Sequence, residues 1–134
     1  MENSYLGLLG LARRAGLLSL GDESVRSAVS AKTAKVLFVA SDASERTKET
    51  FEFIAESADV LYIVVSETRE ELGNALGKRP LSTVAVCDVG IAAAITKKLA
   101  ATNEQAAECL PLLAKKAEKS AARRRASRAK KAKK

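Results

Sequence analysis

Residues 35–65 read KVLFVASDASERTKETFEFIAESADVLYIVV, and this stretch decides the fold class. Lys35 to Ala40 and Val60 to Val65 are near-continuous apolar runs of strand length, the pattern of strands covered on both faces. Between them Phe51, Ile54, Ala55 and Ala58 recur at helical spacing, and Asp42 and Glu45 have the spacing of a capping box that opens this helix. A buried strand, a helix and a second buried strand form the repeating unit of an α/β protein.

The pattern continues in both directions. Toward the C-terminus, Thr68 and Glu71 again have capping-box spacing and open a short helix through Leu72 and Leu76, which Gly77 terminates. Thr83 to Cys87 is a further strand, and Asp88 caps a last core helix with Ile91, Ala94, Ile95 and Leu99 facing inward. Toward the N-terminus, Asn3 or Ser4 caps a helix with the stripe Tyr5, Leu8, Leu9 and Ala12, stopped by Gly16. Leu17 to Leu20 is a short strand, and Gly21-Asp22 turns the chain into a helix with Val25, Ala28 and Val29 on one face, ending near Lys32 and Thr33. The expected architecture is a three-layer α/β/α sandwich with a small mixed four-stranded sheet. A domain over residues 1–101 is followed by a basic tail over 102–134, disordered or helical, in which Pro111 breaks or restarts the helix.

Several function classes drop out on composition. The chain has 134 residues and neither His nor Trp, which removes imidazole bases, imidazole metal ligands and every His-based triad. Cys87 and Cys109 lie 22 positions apart without partner ligands and read as reduced thiols. No Walker loop or GxGxxG fingerprint is present. Ser41, Ser44 and Ser66 fall just past strand ends, but each fits a turn or cap, and no lysine is placed as their base. The pairs Glu70-Glu71 and Glu45/Glu49 read as solvated helix surface. The expectation is no enzymatic activity, no cofactor and no metal. No apolar run approaches a membrane span, and Met1 to Leu11 carries Glu2 with no basic lead, so a cytoplasmic protein is expected. A monomer is expected as well.

Charge is distributed very unevenly. Residues 1–114 hold 12 Lys+Arg against 15 Asp+Glu, a net of −3, whereas residues 115–134 hold 11 against the single Glu118, a net of +10. The tail cations are Lys115, Lys116, Lys119, Arg123, Arg124, Arg125, Arg128, Lys130, Lys131, Lys133 and Lys134. Such a run attracts polyanions by releasing condensed counterions, and nucleic acid is the commonest intracellular one. Only alanines stand between the charges, so the bulky apolar face of a membrane-surface helix is missing and phosphates are favoured over lipid. The aromatics are Tyr5, Phe38, Phe51, Phe53 and Tyr62, with Phe38, Phe51 and Tyr62 on core positions, which argues against a base-stacking sheet.

Three strings in fixed order carry a resemblance: Leu11-Ala12-Arg13-Arg14-Ala15-Gly16 followed by Gly21 and a helix, Ala40-Ser41-Asp42-Ala43-Ser44-Glu45-Arg46-Thr47, and Glu71-Leu72-Gly73-Asn74-Ala75-Leu76-Gly77 with Arg79-Pro80 and a strand. Together they resemble the YlxQ-like bacterial branch of the kink-turn-binding ribosomal protein superfamily. The resemblance implies a non-catalytic α/β/α protein that binds structured RNA, ribosomal or otherwise translation-related, with ribosomal proteins as further partners. It places RNA contacts at Gly21, Asp22, Glu23 and Ser24, and at Lys78, Arg79, Pro80 and Leu81, where a Pro-Leu edge abuts an extruded base. Arg13 and Arg14 add phosphate contacts, and the tail adds nonspecific, salt-sensitive grip. This chain has Glu23-Ser24 where RNA-binding members typically place Asn-Glu, and Leu17-Leu18-Ser19-Leu20 where they carry lysines. The alternative is a protein-interaction module whose basic tail alone tethers it to RNA or DNA.

Overall fold

The computed structural model describes residues 5–77 and 79–113. The elements follow as α1 (Tyr5–Arg14), β1 (Leu18–Leu20), α2 (Asp22–Ser30), β2 (Val36–Val39), α3 (Glu45–Ser57), β3 (Leu61–Val64), α4 (Arg69–Ala75), β4 (Thr83–Val86) and α5 (Val89–Leu99). A sixth helix, α6, covers residues 104–113. The expected caps Asn3 and Ser4 lie outside the described residues.

The two apolar runs of residues 35–65 pair in parallel, Val36 beside Leu61 and Val39 beside Val64, because α3 carries the chain back before the second strand begins. β4 then enters between β1 and β2, antiparallel to both, giving the order β1-β4-β2-β3 and a mixed sheet. The central strands β2 and β4 are buried at every position, whereas β1 and β3 at the edges are mostly half-buried. Two helix groups cover the sheet: α1 packs on α4 and α5, with α5 against β4, while α2 packs on α3 over β1, β4 and β3. Phe38, Phe51, Leu9, Leu37, Ile63 and Leu72 are among the largest fully buried side chains, each removing apolar surface worth roughly 1.5–3 kcal/mol. The Arg26 guanidinium lies 5.4 Å from the centre of the Phe51 ring, tying α2 to α3.

Tyr5 donates to Glu67, fastening the start of α1 to the loop before α4. Burial, and then this hydrogen bond, hold the Tyr5 phenol well above its ordinary pKa. Tyr62 donates to the Lys48 carbonyl at 3.0 Å, and burial together with the nearby Glu52 and Glu45 pushes it up to about 12.

The structure corrects several local expectations. Ser44, not Asp42, caps α3: its hydroxyl accepts from the Thr47 N–H at 3.1 Å. A turn that buries Ala43 intervenes before the helix, and Asp42 instead accepts from the Arg69 N–H at 2.8 Å, tying the loop after β2 to α4. Ala58 is exposed at the end of α3. On α5, Ala94 is exposed, and Ala92, Ile95, Thr96 and Leu99 face inward. That helix is apolar on nearly every side, so periodicity alone cannot fix which face is buried. Its Asp88 cap and the Thr68–Glu71 capping box of α4 form as expected.

Residues 104–113, assigned to the appendage by composition, form a helix whose Ala106 and Leu113 are fully buried in the core. They stand seven positions apart, on one helical face, and the helix passes through Pro111 without the expected break. The start of α6 and the residue before it also close the outer edge of β3. Gln105 Oε1 accepts from the Val64 N–H, and Asn103 Nδ2 donates to the Val64 carbonyl, both at 2.9 Å. Asn103 Oδ1 caps α6 by accepting from the Ala106 N–H at 3.1 Å. Two side chains thus occupy the backbone groups that a neighbouring strand would take. Asn103→Ala removes both the cap and the carbonyl's partner, and urea unfolding should register a loss of about 1–3 kcal/mol. An unchanged midpoint would show that the edge is held by packing alone.

Candidate nucleic-acid interface

The chain leaves β1 at Leu20 and turns into α2 at Gly21, whose φ of 89° and ψ of 159° fall in a region that side chains with a Cβ scarcely populate. The turn is anchored to β4. The Gly21 N–H donates to the Thr83 carbonyl at 3.1 Å, and the Thr83 hydroxyl donates to Asp22 Oδ1 at 2.8 Å. Thr83 is fully buried, so its hydroxyl is committed to holding Asp22 in place. Asp22 is thereby a positioning group for the turn. Glu23 and Ser24 stand exposed on the first turn of α2, which no side chain caps, so its N–H groups point outward beside the Glu23 carboxylate.

Arg13 and Arg14 end α1 at the other end of β1, a distance of about 10 Å for three extended residues. There Arg13 meets the end of α4: its guanidinium lies 3.5 Å from the position a Cβ on Gly77 would take. Gly77 has φ 64° and turns the chain out of the helix. Residues 79–82 lead into Thr83, whose carbonyl accepts from the glycine turn. Arg13 at Gly77 and the Gly21 turn at Thr83 thus mark the two ends of one margin.

Along that margin Arg79 and Pro80 are exposed. Leu81 is not: it is only 8% exposed, packs in the core, and donates its N–H to the Arg69 carbonyl at 3.0 Å. The expected Pro-Leu edge is therefore reduced to Pro80. Lys78 and the tail cations from Lys115 to Lys134 lie outside the described residues.

Two features of the margin were not anticipated from sequence. Thr83 gave no signal beyond its place at the start of a strand. Gly7 and Gly10 did give one: each glycine inside a helix is about 1 kcal/mol less favourable than alanine, yet α1 carries two within ten residues. An open groove of about 320 Å³ between α1 and α4 is lined by Leu6, Gly7, Gly10, Arg13, Arg14, Ala75, Leu76 and Gly77.

The remaining chemistry is sparse. Among the described residues there is no cluster of three or more metal-ligating side chains, and no helix is long and apolar enough to cross a membrane. Cys87 and Cys109 are free thiols, and burial pushes the Cys109 thiol up, away from the reactive thiolate. Phe38 and Phe51 are buried, Phe53 stands alone and exposed on α3, and helices cover the sheet, so no aromatic platform for bases is formed.

Comparison with known proteins gives concordant matches. The model of the ribosomal protein L7Ae/L30e/S12e/Gadd45 family matches residues 4–96. A protein of Enterococcus faecium described as RNA-binding protein YlxQ is 48% identical over 44 residues, which cover 33% of this chain and 43% of that relative. The chain thus matches less than half the length of that relative. The solved structure of a Bacillus halodurans protein of unknown function superposes with a TM-score of 0.67 at 33% identity, over 71% of this chain and 95% of the other.

Proposed function

Because the chain belongs to the ribosomal protein L7Ae/L30e/S12e/Gadd45 family, we propose that it is a non-catalytic RNA-binding protein of the translation machinery. The margin from Arg13 and Arg14 to the Gly21 turn recognises structured RNA, kink-turns included, and the basic tail grips phosphates without regard to sequence. The protein acts as a monomer in the cytoplasm, in association with ribosomal RNA and its proteins.

The observation that carries this reading is the Gly21–Thr83 anchor. The free N–H groups of an uncapped helix N-terminus are ready donors to anions and to the acceptors of base edges, provided that the turn is held rigidly and approached closely. Gly21 has no heavy atom within 4 Å of where its Cβ would stand, so the backbone there is open to a ligand. Asp22 is occupied by Thr83, which leaves Glu23 as the free carboxylate on the approach.

That arrangement makes a prediction that misfolding cannot imitate. Glu23→Gln removes an exposed negative charge from the path of phosphates, each close encounter being worth about 1 kcal/mol in water. Affinity for a kink-turn RNA should rise about fivefold, while an RNA with its kink abolished gains less. Titration of both RNAs by fluorescence anisotropy tests this. Equal affinities for the two RNAs in every variant refute recognition by the body and favour the protein-interaction alternative.

A further inference from the structure

We propose that the groove between α1 and α4 is a track for the sugar-phosphate backbone of the bound RNA, an extension that rests on the RNA-binding reading above. Charge is the first argument. The body is acidic, with 15 carboxylates against 12 cations over residues 1–114, yet the groove lining holds two arginines and no carboxylate. Among the described residues neither Arg13 nor Arg14 forms an ion pair with an acid. Guanidinium groups fork onto phosphate oxygens and shed water more readily than ammonium groups. Arg13 also stands over the end of α4 at Gly77, where it offsets the negative end of that helix for an approaching anion.

Shape is the second argument. Gly7 and Gly10 leave the middle of the α1 wall, between Leu6 and Arg13, without side chains. Among the described residues a Cβ at Gly10 would meet only the Ala75 carbonyl, at an ordinary 4.0 Å, and Gly7 is exposed. No close contact among them requires glycine at position 10, so α1 accepts a less favourable helix residue there and keeps a low wall open to a ligand. The apolar floor does not suit a peptide, since Leu76 is 2% exposed and offers no anchor pocket. Continuity is the third argument. Gly77 closes the groove at one end of this margin and residues 79–82 lead into Thr83 and the Gly21 turn at the other, so a strand leaving that turn along the margin meets the two arginines.

The test uses the full-length chain and a kink-turn RNA beside the same RNA with its kink abolished. Gly7→Ala with Gly10→Ala should raise the Tm by several degrees, alanine being the better helix former, and yet weaken binding of the kinked RNA by about tenfold. Arg14→Gln, at an exposed position, should weaken binding and lower the salt slope by about 1. Wild-type affinity in the alanine pair together with an unchanged slope in Arg14→Gln overturns the groove. Should the alanine pair fold poorly, the Arg14→Gln slope decides alone. A wild-type chain that does not distinguish the two RNAs refutes the underlying reading, whereas a discriminating wild-type chain whose affinity and salt slope persist in both variants refutes only the track.

Discussion

Replacing the eleven lysines and arginines between Lys115 and Lys134 by glutamine should cost the full-length chain nearly all of its salt-dependent RNA affinity. A segment with a net charge of +10 that meets single-stranded phosphates gives a log–log salt slope near −7, at roughly 0.7 per contact. Over a fourfold rise in salt this amounts to about 10⁴ in affinity. The rest of the chain is net negative and resists the polyanion, so only local cations such as Arg13, Arg14 and Arg79 remain to pull against it. Three contacts of that kind leave a slope near −2, at about 0.7 each. The ratio of affinities for kinked and unkinked RNA should survive, because phosphate contacts position a ligand without reading its shape. Anisotropy titrations at four salt concentrations separate the two quantities. A neutralised tail that keeps the wild-type slope would place the phosphate contacts on the body. Loss of the ratio with the slope would make the tail the only RNA-binding element.

Where residue pattern and packing report the same physics, the fold could be read directly. Phe38 and Ile63 sit in runs too apolar to face water on either side, and both are fully buried in parallel strands. Thr68 and Glu71 carry their cap in their own side chains, so the start of α4 was legible without tertiary information. Asp42 shows the limit of that logic. Its spacing to Glu45 satisfies the same rule, but its carboxylate is drawn to Arg69, 27 residues away, and Ser44 takes the cap. Ala94 fails for another reason: alanine buries so little that sequence gives it no side to prefer. The position of β4 between β1 and β2 depends on pairing across the whole chain, which no local signal specifies.

The candidate site was legible as separate fragments. Gly21 announced a turn, Arg79-Pro80 a loop and Arg13-Arg14 a helix end, but the Thr83 anchor that joins turn to loop is a contact between residues 61 apart. Leu81 reads as the apolar partner of Pro80, but its N–H is committed to the Arg69 carbonyl and its side chain to the core. Residues 104–113 were hidden by composition, since alanines and charges resemble the tail that follows them. Ala106, Cys109, Leu110 and Leu113 nevertheless recur at helical spacing, so this inward face is legible in the sequence, and Ala106 and Leu113 on it are fully buried.

Gly21→Ala should separate shape recognition from nonspecific grip most sharply. The added methyl has no heavy atom within 4 Å, so it causes no clash, and the penalty is torsional. At φ 89° and ψ 159° that strain is of order 1–3 kcal/mol, which the chain relieves by rotating out of this region. Rotation there pulls the Gly21 N–H off the Thr83 carbonyl and swings Asp22 away from the Thr83 hydroxyl, leaving a buried hydroxyl without its acceptor. Both consequences re-aim the first turn of α2 relative to Arg79 and Pro80. Urea unfolding should show a loss of about 1–3 kcal/mol. In the same variant the preference for kinked RNA should collapse, while the tail keeps the salt slope near its wild-type value. Thr83→Val provides the control, since it removes the Asp22 contact without torsional strain and should reduce the preference less. Preserved discrimination in a folded Gly21→Ala protein would show that the glycine turn does not contact the RNA, whatever the tail contributes.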